Sequence, residues 1–315
     1  MALIRFPSDI TPMFSGHETF PLRQLWLRKA YTQIDRHGDH APKGVFADDD
    51  AIERFGAGKN MVSSIRHWAL ACDVIRTSET VKGGFKHGEI GDLLFGPKGC
   101  DPYLERDATI WLVHWLLAGR AERSATWYVV FNFVQGQSFT SDDVAALIKD
   151  YAAANKIGRC SSSTITRDIE VCLRSYTSVA LKNATEDSAE PLLSELGLLS
   201  SSAKDTYHFN RGPQYSLPDE VFAFALLDFW SRRDAAIGAS QATLSFNAIA
   251  HEYGSPGRVF KLDEDSVGDR LSRIADVTRE YLAWTDSSGI RQVSRMRDDD
   301  VRKIMPQILR RAYGK

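Results

Sequence analysis

One apolar stripe, repeated three times along the chain, constrains the fold more than any other feature. Met61, Ile65, Trp68, Ala69 and Cys72 stand at i, i+4, i+7, i+8 and i+11. Ile165, Ile169, Cys172, Leu173 and Tyr176 repeat the set, and Val267, Leu271, Ile274, Ala275 and Thr278 give it again. At 3.6 residues per turn these positions share one face, so each stripe predicts a helix with one buried side. The leading residues Met61, Ile165 and Val267 lie about a hundred residues apart. A core-facing helix of any fold carries such a stripe, so the flanking segments decide what the repeat means.

Each stripe follows a shorter helical segment and precedes a hairpin signal. Asp48, Asp49 and Asp50 place acids at the start of a short helix over 51–55, where the helix dipole favours them. Gly56-Ala57-Gly58 breaks it, a second helix covers 59–72, and the basic, glycine-rich segment 79–91 reads as a hairpin with Gly83-Gly84 at its tip. In the middle of the chain, helices over 144–154 and 164–176 flank a loop at 155–163, and short strands follow at 197–199 and 206–209. The third instance has a helix over 246–253, a Gly254-Ser255-Pro256-Gly257 turn, a helix over 265–278, and strands 281–285 and 290–294 around Asp286-Ser287-Ser288-Gly289. Short helix, turn, amphipathic helix, hairpin is the order of a winged helix-turn-helix. The expected fold is therefore mainly α with small β-hairpins: repeated winged-helix-like modules joined by helical connectors. The expected parts are residues 1–100, 101–240 and 241–315. Connector helices are expected at 22–34, 103–117, 218–232 and 301–313, the last kinked at Pro306. Over 127–134, aromatic and β-branched residues set helix and strand in competition. His114, on the Trp-rich face of 103–117, reads as a buried, hydrogen-bonded structural histidine.

A net charge of −2 excludes a polybasic coat but not a local basic patch. Residues 291–315 hold eight Lys and Arg against three Asp. The four cysteines, Cys72, Cys100, Cys160 and Cys172, lack zinc-knuckle spacing and suit a reducing compartment. Neither a leader nor a membrane-length apolar run is legible, so the expected location is cytoplasmic, at the nucleoid.

Gly56-Ala57-Gly58-Lys59-Asn60 superficially suggests a phosphate loop, but Glu53 and Asn60 occupy the places where that pattern needs Gly and Ser or Thr. Lys59 fits better as a phosphate contact at the start of a recognition helix. On that helix Asn60, Ser63 and His67 would face the DNA groove, with Lys59 and Arg66 near phosphates. Arg167, Arg174, Arg270 and Arg273 would extend the track. His17 and Glu18, adjacent polar residues between Phe14 and Phe20, are the candidate catalytic pair, because a histidine beside a carboxylate can move protons or hold a metal. The competing reading makes them part of a structural loop whose Phe residues plug the core and whose polar groups pair with Arg23.

The segments 14–29, 58–68, 91–96, 101–105 and 111–115 resemble the SspB family, which is catalogued as a domain of unknown function and encoded beside DNA phosphorothioation genes. The resemblance covers nearly the whole chain and is sharpest in the first 120 residues. It implies an endonuclease that nicks DNA so that sulfur can enter the backbone, in a system serving phage defence. It implies as partners DNA, a cysteine desulfurase, an ATPase and a sulfur-transfer enzyme, with no membrane; a homodimer is left open. A divalent metal such as Mg is the one cofactor expected. The resemblance brings no catalytic residues with it. A non-catalytic winged-helix adaptor that recruits other phosphorothioation proteins is the alternative, and a protein-binding scaffold a third.

Overall fold

The computed structural model describes residues 12–154, 161–177, 190–203, 205–297 and 300–315. Residues 1–11, Cys160, Asp298 and Asp299, which the sequence reading touches, lie outside them. The chain is mainly helical, with small antiparallel sheets.

The first unit comprises α1 (Trp26–Asp35), α2 (Ala51–Phe55), α3 (Lys59–Ala71), β1 (Ile75–Thr77), β2 (Phe85–His87) and α4 (Glu89–Phe95). Gly56 ends α2 at φ 56°, a left-handed conformation that costs glycine little. β1 and β2 pair antiparallel, and Ala41 joins the outer side of β2 by two backbone hydrogen bonds with Phe85, 2.8 and 2.9 Å. Two apolar helices follow, α5 (Asp107–Ala118) and α6 (Ala125–Phe133). Both are buried on nearly every face. That settles the competition over 127–134: a solitary buried strand would strand its backbone N–H and C=O groups, whereas a helix satisfies them internally. Asn132 reinforces α6, donating to Ala118 O and Tyr128 O and accepting from Gly254 N at 2.6 Å.

The second unit holds β3 (Ser138–Phe139), α7 (Ser141–Ala154), α8 (Ser162–Tyr176), β4 (Leu199–Ala203) and β5 (Thr206–Phe209). Ser161 caps α8 by accepting from Thr164 N. Next comes α9 (Asp219–Ile237), whose residues 221–230 are all buried. The third unit contains β6 (Thr243–Ser245), α10 (Phe246–His251), α11 (Pro256–Val259), α12 (Glu264–Ser272), α13 (Ile274–Thr278), β7 (Leu282–Ser287) and β8 (Ile290–Arg295), and α14 (Val301–Arg311) closes the chain with Pro306 inside it.

The sheet orders are β3-β5-β4 and β6-β8-β7. In both, the strand before the helices pairs with the second strand of the hairpin. The first unit has the same arrangement in reduced form, with Ala41 on β2 and β2 on β1. The strand pairing is thus shared, while the helices before the hairpin number two in the second unit and four in the third. One contiguous apolar cluster runs from Phe14 to Leu309 through all three units. His114 ties that core together, accepting from Tyr176 Oη at 2.7 Å and donating from Nε2 to Val259 O at 3.0 Å.

Some boundaries differ from expectation for local reasons. The helix expected over 103–117 begins at Asp107 because Leu104 is left-handed, φ 57°, and Asp101 accepts from the backbone N–H of Glu105 and Arg106. The helix expected over 265–278 divides at Arg273. The one expected over 22–34 begins at Trp26, since Leu22 O instead accepts from Leu192 N.

Candidate nucleic-acid interface

α3 places its side chains much as its periodicity requires. Ile65, Trp68 and Ala69 are fully buried, and Met61 packs against the core at its edge. Lys59 and Asn60 are exposed in the first turn, while Ser63 and Arg66 are half-buried farther along the same side. His67 departs from expectation. Its ring is 6% exposed, packed edge-on against Trp68 and His17, so it does not face a groove.

What covers His67 is the segment 14–21, which crosses α3. Gly16, at φ 116°, lies so close that a Cβ there would stand 2.5 Å from His67 Nδ1. His17 stacks on Trp68 with 5.7 Å between ring centroids. Phe20 O accepts from Trp68 Nε1 at 3.1 Å, and Glu18 accepts from Ser63 Oγ at 3.4 Å. The same segment reaches α8. His17 Nε2 bonds Asp168, whose other oxygen accepts from Thr126 Oγ1. Because Thr19 N donates to His17 Nδ1 at 3.3 Å, the ring proton sits on Nε2 and His17 is the donor to Asp168. Arg174 donates to Thr19 O at 2.9 Å. One loop therefore clamps the amphipathic helix of the first unit to that of the second.

His17 is 4% exposed and Asp168 2%, so the histidine of the expected catalytic pair is buried in a hydrogen-bonded network. Glu18 differs: it is exposed, at φ 47°, beside Thr19 at φ 67°. Two successive non-glycine residues in the left-handed region hold strain of about 1–2 kcal/mol each, which the His17–Asp168 clamp must sustain.

The arginines expected to extend the track divide into two groups. Arg167 and Arg174 are exposed on α8. Arg270 is 6% exposed and spent internally, bonding Leu217 O, Pro213 O, Gln214 O and Asp219. Arg273 is exposed but also engaged by Asp219, at 2.6 and 3.2 Å. Asp219 at the start of α9 holds both, Arg270 turned inward and Arg273 with an exposed side chain. Among the described residues, Lys59, Arg66, Arg123 and Arg167 make no ion pair. Arg123, in the α5–α6 loop, was not singled out by sequence. Burial, then the charge of Arg66, lowers its pKa, against an upward pull from Glu122.

Burial also pushes the pKa of His67 down to about 3, with the charges of His17, Arg123 and Arg66 adding to the effect. Burial does the same for His114, to about 3. Both rings are neutral in the fold and take a proton near pH 6.5 when unfolded. Their stabilising contribution is complete above that pH and is lost as pH falls toward 3. Each ring adds a slope of up to about 1.4 kcal/mol per pH unit. Urea midpoints measured from pH 7.5 to 5 are expected to fall steadily below pH 6.5; a flat profile contradicts the assignment.

Among the described residues no group of three or more His, Cys, Asp or Glu is gathered to hold a metal, so a divalent cation such as Mg finds no ready-made cage. No helix among them is long and apolar enough to cross a membrane.

Comparison with known proteins places these features in context. The model of a family described as a protein of unknown function (DUF4007) matches residues 14–313. An SspB crystal structure is 26% identical, with a TM-score of 0.79 over 95% of this chain and 87% of that one. A magnesium ion-bound SspB crystal structure is similar in fold, 24% identical, with a TM-score of 0.75 over 95% of this chain and 94% of that one. No curated protein matches the chain.

Proposed function

The chain belongs to the DUF4007 family, and from that footing we propose that it is the DNA-nicking component of an Ssp-type phosphorothioation system in anti-phage defence. It works beside a cysteine desulfurase, an ATPase and a sulfur-transfer enzyme. Its three strand-helix-hairpin units act as winged helices, with α3 and α8 as recognition helices. The observation that carries the reading is the set of unpaired cations, Lys59, Arg66 and Arg167, on two helices joined by the loop that carries Glu18. The likeness to SspB supports the assignment to the Ssp system.

In this reading Lys59 and Arg66 contact phosphates, Asn60 and Ser63 face base edges, and Arg167 and Arg174 continue the contact on the second helix. Glu18 is an exposed carboxylate on this face and the candidate acid or base for phosphodiester cleavage; His17 positions it. Binding to short duplexes across a salt series tests the interface. Lys59→Ala is expected to weaken every sequence alike and to reduce the salt slope by about one unit, whereas Asn60→Ala changes the ranking of sequences. Salt-insensitive binding, or equal effects of both changes on all duplexes, contradicts it.

A second reading keeps the interface and assigns it no chemistry. The burial of His17 in a structural network favours such an adaptor, which would recruit a separate nuclease.

A further inference from the structure

The basic residues of 291–315 lie outside the face formed by α3 and α8, and the fold divides them. Arg291 pairs with Asp286 and lies over Phe246, Arg295 pairs with Asp234, and Arg310 and Lys315 donate to the carbonyls of Lys98 and Gly99. Arg302 is exposed on α14. The other three, Arg297, Lys303 and Arg311, meet Arg279 around one cavity of about 440 Å³.

The cavity lies between α14 and the turn from α13 into β7. Asp300, Lys303, Ile304, Gln307, Ile308 and Arg311 follow at i, i+3, i+4, i+7, i+8 and i+11, so a single helical face forms one wall. Thr278 and Arg279 at the end of α13, with Arg297 after β8, form the other. Thr278 and Ile308 are buried, Arg311 is half-buried, and Arg279, Arg297 and Lys303 are exposed, so the cations stand toward the mouth. Two guanidinium groups are anchored by carbonyls. Arg297 Nη2 donates to Arg279 O at 3.0 Å, and Arg311 Nη2 donates to Val277 O. Such anchored groups lose less freedom on binding.

Asp300 is the one acid among the lining residues, and it caps α14 by accepting from Arg302 N at 3.0 Å. Among the described residues Arg279, Lys303 and Arg311 form no ion pair, although Glu220 acts on Arg311 from α9. A concave surface lined mainly by one sign of charge concentrates counter-ions. Guanidinium groups match the oxygens of a phosphate, and an ammonium adds a point charge.

We propose that Arg279, Lys303 and Arg311 form a binding site for phosphate groups in this cavity. Its volume is that of a small-molecule site, and a nucleic-acid backbone offers the same oxygens. None of its residues belongs to the face of α3 and α8, so the site does not rest on the DNA-binding reading.

Calorimetric titration of the full chain with inorganic triphosphate at fixed ionic strength tests this. The wild type is expected to show one saturable site. Lys303→Gln and Arg279→Gln, both on exposed side chains, are expected to weaken it at least about fivefold while melting within about 2 °C of the wild type. Arg302→Gln, on the same helix but outside the cavity, is expected to change the affinity less than about twofold. Duplex binding in the same variants separates the two sources. Displacement of duplex by triphosphate, with a salt slope lower by about one unit in Lys303→Gln and Arg279→Gln, supports the site with a nucleic-acid backbone in it. Unchanged duplex binding supports the site with a free phosphorylated compound in it. No saturable triphosphate binding by the wild type, or an equal loss in Arg302→Gln and the cavity variants, overturns the site.

Discussion

Asp228→Ala is expected to cost about 2–4 kcal/mol of folding stability, because it takes the counter-charge from the half-buried Arg120 guanidinium and the acceptor from the buried Trp115 indole. Asp228 accepts from Arg120 Nε at 3.0 Å, Arg120 Nη2 at 2.7 Å and Trp115 Nε1 at 2.9 Å. It joins α9 to α5 and to the α5–α6 loop. Burial alone raises its pKa, but Arg120 overrides burial, and the net shift is downward. The ion pair therefore stabilises the fold above the usual carboxylate range, and that contribution is lost as the pH falls below it. Replacing Arg120 and Asp228 together by leucine is expected to recover most of the loss, since neither charge is then left alone. Urea unfolding of the three variants checks this; a loss under about 1 kcal/mol in Asp228→Ala contradicts it.

The second large effect is expected at His17. His17→Ala removes the ring stacked on Trp68 and leaves Asp168 with Thr126 as its remaining bonding partner, both buried. A buried carboxylate that loses a donor, together with the space left by the ring, costs about 2–4 kcal/mol. The same change leaves the Arg174–Thr19 O bond to hold residues 16–20 to α8, so DNA affinity is expected to fall with stability. Glu18→Gln, on an exposed side chain, is expected to leave stability within about 0.5 kcal/mol. Unfolding midpoints and duplex binding on both variants separate the roles. Full stability in His17→Ala with lost activity assigns His17 to chemistry instead of support.

Periodicity carries far into this fold, and the reason is visible in α3, α8 and α12. Their apolar stripes face one shared core, and Ile65, Ile169 and Leu271 are all essentially buried. A pattern of local origin is decided by a local property, the helical turn. Partners distant in the chain leave no such trace. Arg270 resembles any surface arginine until Asp219 and the carbonyls at 213–217 are folded over it. His67 shares a side with Ser63, and nothing nearby in sequence announces that Gly16 will close over its ring. Asp168 offered a fainter clue, a lone acid between Ile165 and Ile169 on a buried face. An acid so placed must find partners, and here they come from 151 and 42 residues away. Arg123 had no sequence signal: it is a single cation in a short loop, next to Glu122.

The most direct measurement is the conversion of supercoiled plasmid to open circles by the purified protein, with magnesium present and with a chelator. The account expects open circles without linear product from the wild type, and little conversion by Glu18→Gln at protein concentrations where that variant still binds DNA. Wild-type protein that binds the plasmid but leaves it supercoiled contradicts the nicking role and leaves the adaptor reading in its place.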